Sequence, residues 1–124
     1  MYSTPSLSPG QIGYMYSSTS IGSPTATISA QCTFSAVPPG VYLATWSFGT
    51  ATMTGQLCTF GVWFGSTTIG ATVVINNPSG AAYTTGGGTV VGTNPTTQNI
   101  SLFGQSSVNS FWLDRGYFQV VRIA

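Results

Sequence analysis

The chain contains no lysine, no glutamate and no histidine; its charged side chains are Asp114, Arg115 and Arg122. Each absence removes a class of chemistry. General acid–base catalysis needs a group that titrates near neutral pH, which histidine, glutamate or a tuned lysine would supply. One aspartate cannot make the carboxylate pair of a glycosidase. The serines, threonines and cysteines have no side chain to act as their activating base. Zinc needs more cysteine and histidine than Cys32 and Cys58 offer, and calcium needs more carboxylate than Asp114. The sequence therefore predicts neither an enzyme nor a cofactor.

A net charge of +1 gives no basic surface for nucleic acid, whose affinity comes largely from phosphate contacts. No run of eighteen apolar residues occurs, so no helix able to span a membrane is expected. Cys32 and Cys58 are too few for a disulfide framework. Both fall at inward positions of predicted strands. They read as small buried hydrophobes, and a bridge requires those strands to be neighbours.

What the chain does hold is 42% hydrophobic and 13% aromatic residues, with 16 glycines and 7 prolines, in 124 residues. That is one domain's length, enough for a proper core. Residues 1–10 carry several breakers and read as a linker or stalk exit, leaving 11–124 as the folded domain. The richest stretch runs from Pro38 to Gly65 and predicts two strands, over 41–48 and 56–64. Tyr42, Ala44, Trp46 and Phe48 share one face of the first, with Val41 and Leu43 opposite. Cys58, Phe60, Val62 and Phe64 share one face of the second, with Leu57 and Trp63 opposite.

Further strands follow from alternation. Gln11 to Ser17 places Ile12, Tyr14 and Tyr16 together, and Thr25 to Ala36 places Ile28, Ala30, Cys32 and Phe34 inward. Thr67 to Asn76 turns Ile69, Ala71, Val73 and Ile75 inward; Gln98 to Phe103 does so with Ile100 and Leu102. Val108 to Leu113 is a strand or a tucked loop, and Gly116 to Ala124 is apolar on both faces and suits a sheet's centre. No segment sustains a 3.6-residue period, so little or no helix is expected. About eight strands, punctuated by glycine, proline and asparagine turns, predict an all-β antiparallel sandwich.

A monomer of this mass exposes roughly 6,000 Å², which three charges serve poorly. Strands apolar on both faces belong in the middle of a core or between a core and another subunit. Low charge also removes the usual protection against association. The chain is thus expected to self-associate as a closed oligomer.

Pro39-Gly40-Val41-Tyr42-Leu43, opening a long buried strand, and the later Leu57-Cys58 resemble the globular heads of complement-type and tumour-necrosis-factor-like proteins. The opening Gly10-Gln11-Ile12-Gly13-Tyr14 and the ending from Phe118 to Ala124 are similar to C-terminal domains of fibre or collagen-like proteins of large DNA viruses, virophages and tailed phages. The resemblance covers about half of the chain and implies a jelly roll of about 8–10 strands that forms a homotrimer. It implies a fibre-tip domain at the virion surface that sets chain register and attaches to a host protein or glycan receptor. The chain departs from the animal heads in lacking their charged loops and any acidic cluster for calcium.

On these grounds Val41, Leu43, Leu57, Trp63, Phe118 and Val120 are expected at the trimer interface. Tyr83 and Trp112 are the candidate glycan contacts. Asp114, Arg115 and Arg122 are expected in a structural ion pair, within or between subunits, that pins the last strand. A lectin-like binding module and a purely structural capsid-associated trimerisation domain are the alternatives.

Overall fold

The computed structural model describes residues 6–22, 26–51, 56–69, 73–77, 83–106 and 114–124, with backbone alone at 49–51, 56–58, 73–77, 83–85, 106 and 114–115. All regular structure among them is strand: β1 Met15–Ser18, β2 Ser29–Val37, β3 Gly40–Ala51, β4 Gln56–Phe64, β5 Thr67–Thr68, β6 Val73–Asn77, β7 Tyr83–Asn94, β8 Gln98–Ser106 and β9 Asp114–Arg122. One sheet has the order β1-β9-β3-β7; the other has β2-β8-β4-β5, with β6 also on β4. We call them sheet A and sheet B. Every pairing is antiparallel.

Successive strands alternate between the sheets, except for the run β4, β5, β6 within sheet B. The two richest strands are therefore not a hairpin. β3 lies in sheet A and β4 in sheet B, and their apolar faces meet across the interior. Phe48 packs on Phe60 with ring centroids 4.4 Å apart, and Tyr42 meets Phe64 edge-on at 6.4 Å. Val37, Ala44, Trp46, Val62, Ile100, Leu102, Phe118 and Val120 complete the core. The period-two phase expected for β3, β4 and β8 holds at each described side chain. The last strand, β9, lies between β1 and β3, in the middle of its sheet.

Two expectations need correction. Ile28 is 44% exposed and Ala30 is also exposed, because a bulge between Ala30 and Cys32 breaks the alternation of β2. An extra residue in one strand reverses the facing of everything before it. A second irregularity between Phe34 and Val37 holds Ala36 at a φ of 52°, the left-handed region. The first strand starts late: Gln11 and Tyr14 close turns through Gln11 N–H to Ser8 O (3.0 Å) and Tyr14 N–H to Gln11 O (3.0 Å).

Glycines make room for the large core rings. A methyl at Gly88 would run into the indole of Trp46, and one at Gly61 into the ring of Phe103. The Trp46 indole nitrogen is buried without a hydrogen-bond partner among the described residues.

One end of the sandwich is closed by polar groups. Buried Asn94 donates through Nδ2 to Val37 O (3.1 Å) and Pro38 O (3.2 Å), and accepts from Gln98 Nε2 at 2.7 Å. The Tyr42 hydroxyl donates to Pro38 O at 2.7 Å. Gly10 and the last residue, Ala124, meet here. Arg122 donates to Gly10 O and, through Nε, to Ala124 O at 2.9 Å; Val41 N–H donates to Ala124 O at 2.9 Å. Residues 6–10, read from sequence as a linker, include Gly10, which sits against Pro38.

Candidate interaction faces

With the core filled from within one chain, whatever the domain touches must meet its outer faces, its edges or its ends. The outer face of sheet A follows from the register. Met15 stands opposite Val121, Val121 opposite Leu43, and Leu43 opposite Val91. Directly opposed residues of an antiparallel pair project to the same side. These four thus form one apolar row across all four strands, with Met15 53% and Val91 55% exposed. The neighbouring row is polar and uncharged: Ser17, Gln119, Thr45 and Thr89. Val41 and the 45%-exposed Ile123 extend the apolar surface toward the closed end.

Val41 and Leu43 therefore lie on an outward face. Phe118 and Val120 do not. Both are 0% exposed within the single chain, and Phe118 stacks on Phe34 at 5.2 Å across the core. A partner cannot reach them without opening the sandwich. In β9 the residues that face outward are Tyr117, Gln119 and Val121, the other phase of the same doubly apolar strand. Sequence reasoning missed Met15, Val91 and Val121; the signal lay in the cross-strand register, which no single segment carries.

Trp63 is also separated from Val41 and Leu43. It projects from the outer face of sheet B, on the opposite side of the sandwich, opposite Ser101 of β8 and Thr68 of β5. It stacks on Phe103 with centroids 4.8 Å apart and planes 22° from parallel. Phe103 lies over Gly61 and is 4% exposed. Beside them the hydroxyls of Thr33 and Ser101 are hydrogen-bonded at 2.9 Å. Leu57 is a β4 residue of this sheet, but its side chain is outside the described residues. One flat contact cannot bury Trp63 together with Val41 and Leu43.

The charges divide as sharply. Asp114, Arg115 and Arg122 all belong to β9 in sheet A. Asp114 pairs in register with Gly49, whereas Arg122 pairs with Tyr42 at the other end of β3. Eight strand residues span roughly 26 Å, so Asp114 and Arg122 do not form an ion pair within one chain. Arg122 instead ties the chain ends together through carbonyl oxygens. The side chains of Asp114 and Arg115 lie outside the described residues, as do Trp112 and the side chain of Tyr83.

Cys32 is a free thiol whose pKa is raised by burial, against the lowering effect of a hydrogen bond with Ser18. A raised thiol is a poor nucleophile. Cys32 on β2 and Cys58 on β4 are separated by β8. Two strand spacings, about 10 Å, exceed the reach of a disulfide. Among the described residues no group of three histidine, cysteine, aspartate or glutamate side chains comes together to hold a metal, and no helix is long and apolar enough to cross a membrane.

No family model matches the chain, and no curated protein matches its sequence. Solved structures do match in shape. The globular domain of zebrafish complement 1qA protein superposes with a TM-score of 0.62 at 14% identity, over 90% of this chain and 98% of that one. The fold is a jelly roll. The same sandwich is found in the PRD1 vertex protein P5, with a TM-score of 0.56 at 14% identity over 93% of this chain and 100% of that one. Infectious bursal disease virus, Gx strain, gives a TM-score of 0.62 at 11% identity, over 98% of this chain and 36% of that one. At these identities the likeness is one of fold.

Proposed function

We propose that this jelly roll is the head domain of a homotrimeric protein at a virion surface. There it holds three chains in register at the end of a fibre or collagen-like stalk and attaches the particle to a host receptor. The observation that carries the reading is the apolar row Met15, Val121, Leu43 and Val91 on the outer face of sheet A. A domain whose core is already complete has no internal use for such a row, and covering it with other copies removes it from water. The sequence resemblance to trimeric heads supports the number three, and the fold shared with a vertex protein and a virus particle supports the setting. The domain works by contact rather than catalysis, since its side chains offer no acid–base pair.

Sedimentation or light scattering of the chain tests this directly. The expected mass is three chains, falling to one for Val121→Asp, which places a carboxylate in the middle of the row. A single-chain mass for the parent would remove the reading. A purely structural trimerisation domain predicts the same masses and differs only in having no receptor.

A further inference from the structure

We infer that the outer face of sheet B carries a stacking site for a neutral carbohydrate, centred on Trp63. This deepens the attachment half of the reading above by naming a ligand class and a surface, and does not depend on the self-association half.

Trp63 is partly exposed on a strand whose alternate residues, Val62 and Phe64, are buried in the core. Its ring is fixed from below. Phe103 lies on the bare backbone of Gly61, and the indole stacks on Phe103 at 4.8 Å. A supported aromatic face meets a ligand with little ordering cost, because its rotamer is already set. Ordinary core packing would bury the indole between the sheets, and here it stands outside them.

The surroundings select the partner. Strands β2, β4, β5, β6 and β8 contain no aspartate, glutamate, lysine, arginine or tyrosine, so this face has no charge to offer. An anionic ligand would lose hydration here without gaining a counter-charge. Hydroxyl groups flank the indole instead: exposed Thr68 on one side and buried Ser101 on the other, both opposite it in register, with exposed Thr33 bonded to Ser101. Ser101 is 5% exposed, so it is the exposed Thr33 hydroxyl, hydrogen-bonded to Ser101, that has bonding capacity left for a third oxygen. A sugar ring matches both halves of this surface. Its C–H face lies on the indole, and its hydroxyls exchange water for the rim. The site is on the side of the sandwich away from the apolar row of sheet A, so covering that row with other copies leaves it open.

Titration with neutral trisaccharides of glucose, galactose and N-acetylglucosamine, beside sialyllactose, tests the inference. Tryptophan fluorescence and backbone amide shifts are the readouts. Neutral sugars are expected to saturate and to move the amides of Trp63, Ser101 and Thr33. Trp63→Ala should weaken binding about tenfold, the scale of one lost aromatic stack, and Thr33→Val should weaken it less. Amide shifts in the parent keep the test decisive should Trp63→Ala fail to fold. Absence of those shifts with every neutral sugar, unchanged affinity in a folded Trp63→Ala, or preference for sialyllactose would each overturn it. Masses measured on the same samples separate the two ideas. A trimer that binds no sugar removes only the carbohydrate site, and a single chain that binds removes only the self-association.

Discussion

The two outer faces of the sandwich are built from the same backbone geometry and opposite chemistry. The outer face of sheet A carries a row of aliphatic side chains running across its four strands, and the three charged residues all belong to its strand β9. Sheet B has no charge, and its largest outward apolar groups, Trp63 and Phe103, are stacked on each other and framed by hydroxyls. Aliphatic rows are satisfied by another aliphatic surface. A lone aromatic stack among hydroxyls suits a smaller, polar-edged partner. The difference teaches that apolar strands of one chain need not serve one interface.

The largest effect that bears on this comparison is expected from Phe118→Asp set against Val121→Asp. The two residues are three positions apart in β9, but Phe118 is buried between the sheets while Val121 faces out. An unpaired carboxylate at Phe118 should cost about 3–5 kcal/mol and abolish cooperative melting. Val121→Asp should cost the separated chain about 1 kcal/mol or less while changing its mass in solution. Equal losses of stability would mean that the assigned phase of β9 is wrong.

Next in size are glycine substitutions that act on one sheet at a time. Gly88→Ala drives a methyl into the Trp46 indole in the core, and Gly61→Ala drives one under Phe103 on the outside. Overpacking of this kind costs about 1–3 kcal/mol. Thermal melting should show both losses, with Gly88→Ala the greater because the rings around Trp46 have nowhere to move. A Gly61→Ala variant that melts like the parent would show that Phe103 is free to lift, and would weaken the case for a fixed indole.

The smallest effect is alkaline. Burial raises the phenol pKa of Tyr16, with smaller contributions from Tyr42 and Tyr14; burial also raises that of Tyr42, with Arg122 pulling the other way. Their pKa values in the folded state lie above the unfolded value of about 10. The stability they contribute is therefore complete below that pH and is lost as pH rises through the folded values. Melting temperature should be nearly flat from about pH 5 to 8, where no histidine titrates, and fall beyond about pH 10. The burial-raised thiol of Cys32 on sheet B adds a loss of the same sign, so Tyr42→Phe should reduce the alkaline loss without removing it. A steep pH dependence near neutrality would contradict the assignment.

Much of the fold was legible because β3, β4 and β8 alternate cleanly and their inward residues are large. The assignment of contact residues was less legible, for a physical reason. In β9 both phases are apolar, and only the neighbours of a strand decide which phase faces the core. Phe118 and Val120 were thus indistinguishable in the sequence from Tyr117 and Val121. The same limit put Trp63 with Leu43, because the sheet a strand joins is set by long-range pairing. In β2 a single extra residue turned Ile28 and Ala30 outward, and nothing in that segment's alternation marks the bulge.

Arg122 and its carbonyl partners bring Gly10 and Ala124 to one pole of the molecule. The last residues of β3, β6 and β8 and the first residues of β4, β7 and β9 lie at the antipode. A tether at the first pole leaves the second, and the flanks between, unobstructed. A label joined after Ala124 consequently starts at the first pole, away from both outer sheet faces.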